Sequence, residues 1–415
     1  MLRLLFPLRV TQWLGPLFVA AMAGLVVAII VVVSGIVDLS AAKPHPEGWA
    51  RFLHYTFDRS TAFHAGPPPP ADLDSPVRIA AGAAYYGQVC AHCHGGPGLG
   101  QNPVVLSMHP RPQYLATDLP LAKYTAPELF RIVKAGAKYS AMPSWPADRR
   151  DDEIWQLVAF LRALPTMSPA TFNALAIVSH AGNAAALPRG TAQPQYRYAL
   201  RNDNEPPLDS YSYHTPVFGF SGYALGADPI ATCARCHGAD GTGGGAFPNL
   251  TLQSRDYLAR TLTAYAAGQR RSGFMQMIAT ELSPAQISAL ADHYAALPRH
   301  STQAPDGKPV ALGQQVALTG LPQVGLGPCA ECHGVTKAAQ KAYPLLEGQA
   351  GWYIANQLQV FRNGGRGGIG GEKSPDPMVV IARKLTDNQI RAVAAYYAAQ
   401  PPATQQSFAA VKPPQ

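Results

Sequence analysis

The sequence predicts a mainly α protein, with an N-terminal transmembrane helix followed by three small helical domains in tandem. Three observations carry that expectation. The pentapeptide Cys-x-x-Cys-His occurs three times, at Cys90 to His94, Cys233 to His237 and Cys329 to His333. Each copy is followed by an apolar stretch with helical spacing that stops at a proline: Ile154 to Pro165, Ile287 to Pro298 and Ile390 to Pro401. Ahead of all of them, Val10 to Val37 carries no charged residue.

That uncharged run is 28 residues long, more than the roughly 20 that cross a bilayer as a helix. Arg3 and Arg9 precede it, which places the N-terminus inside and the body outside. The rival is a cleaved signal peptide, with an apolar region of about 7–15 residues; Ser40-Ala41-Ala42 offers a cleavage site. The length favours an uncleaved anchor over residues 1–37. Residues 38–75 then read as a linker ending in Pro67 to Pro70, an extended, stiff spacer. His45, His54 and His64 lie within it and read as surface or packing residues.

Composition narrows the class. Hydrophobic content of 47% is ordinary, charged content of 14% is low, and 39 Pro with 38 Gly suit small domains wrapped by loops. A formal charge of +8 gives a weak preference for acidic partner surfaces. There is no basic run of the kind that binds nucleic acid.

Cys-x-x-Cys-His is the attachment signature of c-type haem: two thiols bond the porphyrin and the adjacent His ligates iron. All six cysteines, Cys90, Cys93, Cys233, Cys236, Cys329 and Cys332, belong to the three copies, with His94, His237 and His333 as proximal ligands. Half a zinc site would not require a His after every second Cys, and a redox disulfide would not require three copies. Three covalent haems c are therefore the expected cofactors. Glycine follows each His (Gly95, Gly238, Gly334), letting the chain turn closely past the ring.

Ser75-Pro76 looks like an N-cap with proline at the first helical position, opening a helix on which Gly82, Tyr86 and Cys90 share one face. This Gly-x-x-x-aromatic-x-x-x-Cys-x-x-Cys-His stretch resembles class I cytochromes c, in which the small residue permits close crossing by the C-terminal helix. The resemblance covers about residues 76 to 401. It implies a transmembrane helix followed by three class I cytochrome c domains in tandem, at 76–168, 223–298 and 299–401, with a connector over 169–222 and a tail over 402–415. Ser168-Pro169 starts a short helix in that connector. The second and third domains are closer kin, since Tyr257, Leu262, Tyr265, Gly268 and Arg270 match Tyr353, Leu358, Phe361, Gly364 and Arg366. They resemble the tandem two-haem cytochromes of that class.

The distal ligand decides between a wire and a catalyst, because a sixth ligand closes the iron. In the first domain Met142 is the candidate, in a Met-Pro pair matching the class I pattern, with Met108, His109 and Met167 as rivals. Met275 and Met378 each stand seven residues before the Leu-Ser or Leu-Thr that opens the closing helix. Met277 competes in the second domain, but its counterpart in the third is Val380. By the same resemblance, Pro248 and Pro344, eleven residues after their His, offer carbonyls to the His ring N–H. The first domain departs from this, with Pro103 and Pro110 both out of register. Arg270 and Arg366 suit either haem propionates or a solvated helix end.

The resemblance implies a periplasmic, inner-membrane electron carrier with no bond chemistry of its own. The preferred reading is a respiratory-chain component delivering electrons toward a terminal oxidase. An alternative is the cytochrome subunit of a membrane-bound periplasmic dehydrogenase for alcohols, aldehydes or sugar acids. The first motif reads Cys-Ala-His-Cys-His-Gly-Gly-Pro-Gly, not the form ending in His-Thr usual there. A haem enzyme such as a peroxidase or small-anion reductase would need an open distal site, against which the three methionines stand.

Overall fold

The computed structural model describes residues 10–37, 46–99, 101, 103–106, 108–117, 121–177, 229–244, 246–280, 282–302, 311–334, 343–366 and 376–403. Residues 1–9, His45, most of the connector (178–222) and the tail from 404 lie outside them. The fold is mainly helical; among the described residues there are isolated β-bridges and no strands.

Helix α1 (Val10–Ser34) is the uncharged stretch, long and apolar enough to cross a membrane, and its residues from Leu14 to Ser34 are exposed. The linker expected over 38–75 contains a second helix, α2 (Glu47–Phe63). Its aromatic residues recur at helical spacing, so the residues that looked like dots along a connector share a face. The prolines after it run without regular structure. There Gly66 N–H donates to Pro127 O at 2.8 Å, and a Cβ on Gly66 would meet the Phe130 ring at 2.3 Å.

The first unit is built on α3 (Pro76–Tyr85), α4 (Ala126–Ala135) and α5 (Asp151–Ala163). Helix α3 runs through a π-helical turn, Tyr86–Cys90, into the first Cys-x-x-Cys-His. Gly82 sits where α3 crosses α5: a Cβ there would lie 2.0 Å from Gln156 O. One turn on, the fully buried Tyr86 packs on Phe160 at 4.9 Å between centroids and donates its hydroxyl to Gly95 O at 2.8 Å. The segment expected to start the connector instead completes this core. Ser168 caps a short turn that buries Phe172 against Tyr86 and Phe160.

The second unit comprises α6 (Pro229–His237), α7 (Arg255–Ala266), α8 (Met275–Thr280) and α9 (Pro284–Ala296). The third comprises α10 (Ala311–Leu318), α11 (Gly351–Arg362), α12 (Pro377–Arg383) and α13 (Asp387–Ala398). The closing helices α9 and α13 start with the same device, Ser283/Gln286 and Thr386/Gln389, each a reciprocal capping box. Gly313 repeats the Gly82 crossing, its Cβ position 2.1 Å from Ala392 O on α13.

The second and third units meet face to face in a nearly symmetric way. Gln253 exchanges two bonds with the Leu345 backbone (2.9 and 3.0 Å), and Gln349, its counterpart, exchanges two with Asn249 (2.9 and 3.0 Å). Arg270 reaches Tyr353 OH at 3.3 Å while Arg366 reaches Tyr257 OH at 3.4 Å. Two copies of one ancestral surface thus pair as the halves of a homodimer would.

The first unit joins this pair through the start of α5. Arg150 donates to Asp152 and to Arg271 O (2.7 Å), and the fully buried Glu153 accepts from Ser272 Oγ at 2.7 Å and Gly273 N at 2.8 Å. Asn356 of the third unit donates to Asp152 at 3.1 Å.

Candidate haem sites

Each Cys-x-x-Cys-His occupies a helix end, so both sulfurs and the imidazole project from one turn and a half of chain. None of the six cysteines is in a disulfide. Burial pushes the Cys90 thiol up to about 12 and Cys329 to about 11. The glycine after His is left-handed at Gly95 (φ +64°) and Gly238 (φ +85°). Gly334 is not, at φ −84°; what it needs is space, since a Cβ would lie 2.4 Å from Ala330 O.

All three imidazoles are held alike. His237 Nδ1 donates to Pro248 O at 3.0 Å, and His333 Nδ1 to Pro344 O at 2.8 Å. His94 Nδ1 donates to Gln113 O at 2.8 Å, nineteen residues on, which is the partner that the first loop's missing proline left unassigned. Gln101, buried beneath that loop, binds Cys93 O at 2.7 Å and Pro112 O at 2.8 Å and so ties the longer excursion down. Burial lowers all three histidines from their ordinary value, against the carbonyl bonds that raise it. A neutral ring with Nδ1–H engaged presents bare Nε2 as its ligand atom.

One continuous, mostly apolar cavity contains both later sites. Cys233, Cys236, His237 and Met275 line it together with Cys329, Cys332, His333 and Met378. Met275 opens α8, its N–H on Ser272 Oγ at 3.1 Å; Met378 stands near the start of α12, its N–H on Asp376 Oδ1 at 2.7 Å. Met142 lies half-buried on the loop between α4 and α5, its carbonyl accepting from Ala137 N at 3.1 Å, whereas Met167 packs on the first core. Arg270 is 7% exposed, which removes the solvated helix end as its setting; it lies over the Tyr265 ring at 4.6 Å, as Arg366 lies over Phe361 at 4.5 Å.

The profile of cbb3-type cytochrome c oxidase subunit III matches residues 77–161, and that of cytochrome c matches 223–295 and 310–398. The chain is 36% identical to a thiosulfate dehydrogenase electron acceptor of Thiomonas intermedia over 187 residues, 43% of this chain and 83% of that protein. It is 32% identical to cytochrome c4 of Pseudomonas aeruginosa, over 42% of this chain and 86% of the relative. The chain belongs to the multi-haem class I cytochromes c. Among solved structures, thiosulfate dehydrogenase of Marichromatium purpuratum is 35% identical over 42% of this cytochrome and 37% of that chain, with a TM-score of 0.36.

The residues of this cytochrome fit haem c at each motif: a thiol pair, an imidazole of set tautomer and, at the later two, a shared apolar cavity. Each haem c, when bound, supplies a one-electron iron couple. What the sequence did not single out is the first unit's share in the second site. Tyr85 of α3 lines the common cavity beside Cys236, 4.5 Å from the Phe274 ring and 6.5 Å from Phe247. Phe247 stands edge-on to His237 at 6.4 Å, and Tyr343 repeats that contact on His333 at 6.1 Å. The identical offset of Phe247 and Tyr343 from their histidines was the available signal.

Proposed function

We propose that this cytochrome is anchored in the bacterial inner membrane by α1, holds its haem units in the periplasm, and carries single electrons from a periplasmic dehydrogenase toward a terminal oxidase. The proximal ligands are His94, His237 and His333, and the distal ligands Met142, Met275 and Met378. The units occupy residues 76–168, 223–298 and 299–401. One observation carries the reading: the second and third sites share one cavity, and its wall includes Tyr85 of the first unit, five residues before Cys90 of the first motif. The residues hold Nδ1–H of each imidazole on a backbone carbonyl and fix the Met275 and Met378 backbones by part-buried hydrogen bonds to Ser272 and Asp376. The match of residues 77–161 to an oxidase subunit supports the direction of flow.

The names of two relatives, both thiosulfate dehydrogenase electron acceptors, favour thiosulfate dehydrogenase as the donor. The test is mild-detergent purification through a C-terminal tag, with identification of co-purifying proteins, followed by mixing with donor and substrate. Haem reduction by thiosulfate through its dehydrogenase supports this donor; reduction through a dehydrogenase for alcohols, aldehydes or sugar acids replaces it. Substrate oxidation by the cytochrome alone refutes the carrier reading.

A further inference from the structure

We propose that α2 lies in the membrane–water interface with its outer face seated among lipid headgroups; this rests on α1 being an uncleaved anchor. Five large apolar side chains stand exposed on this 17-residue helix: Trp49 (52%), Phe52 (52%), Leu53 (36%), Tyr55 (65%) and Phe63 (85%). Beyond α2, the exposed large apolar side chains among the described residues are scattered over the body: Tyr139, Ile230, Leu318, Val324, Tyr343 and Val380. At about 100° per residue, Trp49, Phe52, Leu53, Thr56, Ser60 and Phe63 fall on one uncharged face, flanked by Tyr55 and Arg59.

The opposite face is already engaged. Asp58 accepts from Tyr124 OH at 2.8 Å and from Lys123, and Thr61 is buried. The helix is therefore fixed to the first haem unit by its polar back and turns its aromatic stripe outward. Contiguous exposed apolar surface of this kind marks an interaction site. Lipid is the occupant because of the chain upstream. Helix α1 ends at Ser34 and α2 begins at Glu47, so residues 35–46 hold α2 within roughly 40 Å of where α1 leaves the bilayer. Trp, Tyr and Phe on one side of a short amphipathic helix are the residues that settle at the headgroup level. The first haem unit then sits closest to the membrane.

The full-length holoprotein is reconstituted in phosphatidylcholine vesicles with a protease site inserted between residues 38 and 45. After α1 is severed, flotation is followed by haem absorbance. The expected result is that the severed haem body floats with the vesicles, while the Phe52→Glu, Phe63→Glu double variant releases at least tenfold more haem into the soluble fraction. Tyr139→Glu, at an 88% exposed position outside α2, should behave as the unaltered protein. Release of the unaltered body on cleavage, or equal retention of the double variant, overturns the interfacial helix. Uncut protein that fails to float overturns the anchor, and the proposal with it.

Discussion

Replacing Glu153 with alanine removes the carboxylate on which the first and second haem units meet. Ser272 Oγ (2.7 Å), Gly273 N (2.8 Å) and Trp145 Nε1 (3.1 Å) lose their acceptor, and Arg150 loses a carboxylate at 2.9 Å. Glu153, Ser272 and Gly273 are all buried, so water has no easy route to the vacated bonds. An orphaned buried donor costs about 1–3 kcal/mol and a broken buried ion pair about 3–5 kcal/mol. Arg150 keeps Asp152 at 2.8 Å and Arg271 O at 2.7 Å, which cushions its share. A loss of about 3–5 kcal/mol in all is therefore expected for Glu153→Ala. Denaturant unfolding of the purified holoprotein, with the slope checked for two-state behaviour, measures it. Because Ser272 Oγ also accepts from Met275 N, the second haem's midpoint potential should move while the third stays in place. A destabilisation under about 1 kcal/mol, with all potentials unchanged, would refute the claim that this carboxylate organises the junction.

The remaining predictions concern ligands, packing and pH. Met142→Ala, Met275→Ala and Met378→Ala should each lower one haem's potential and open one iron to carbon monoxide, read by difference spectroscopy; three variants that bind none would reject the distal assignment. Gly82→Ala and Gly313→Ala place a Cβ 2.0 and 2.1 Å from the carbonyls of Gln156 and Ala392, so each should cost at least about 1–3 kcal/mol by forcing crossed helices apart, seen as a lower thermal midpoint. For Asp152, burial acts to raise the carboxyl, but the Arg150 charge and the bonds from Arg150 and Asn356 outweigh it, leaving it below its ordinary value. A folded-state value below the unfolded one stabilises at neutral pH, and that contribution is lost as pH falls below about 4. Unfolding midpoints between pH 7 and pH 3 should therefore drop less steeply in Asp152→Asn than in the unaltered protein.

The covalent chemistry was readable because it is local. Two thiols and an imidazole within five residues announce haem attachment whatever surrounds them, and a closing helix repeated three times announces its own periodicity. The His-to-carbonyl bonds of the later units were readable through a constant eleven-residue spacing. The same logic failed in the first unit, where the acceptor is Gln113 on a loop of nineteen residues: any backbone carbonyl serves, so side-chain identity carries no signal. Helix α2 was missed because its apolar stripe faces outward and the prolines downstream suggested a continuous linker.

Legible in the sequence were the three haem-attachment motifs, the helical class and the uncharged N-terminal span. Each depends on residues within a few turns of one another. Only the tertiary structure decided that the second and third sites share a cavity, that Tyr85 enters its wall, and that Glu153 meets Ser272 across 119 residues of chain. Such contacts depend on the complementarity of two surfaces, and a buried Glu at the start of an amphipathic helix reads in sequence like an ordinary solvated one.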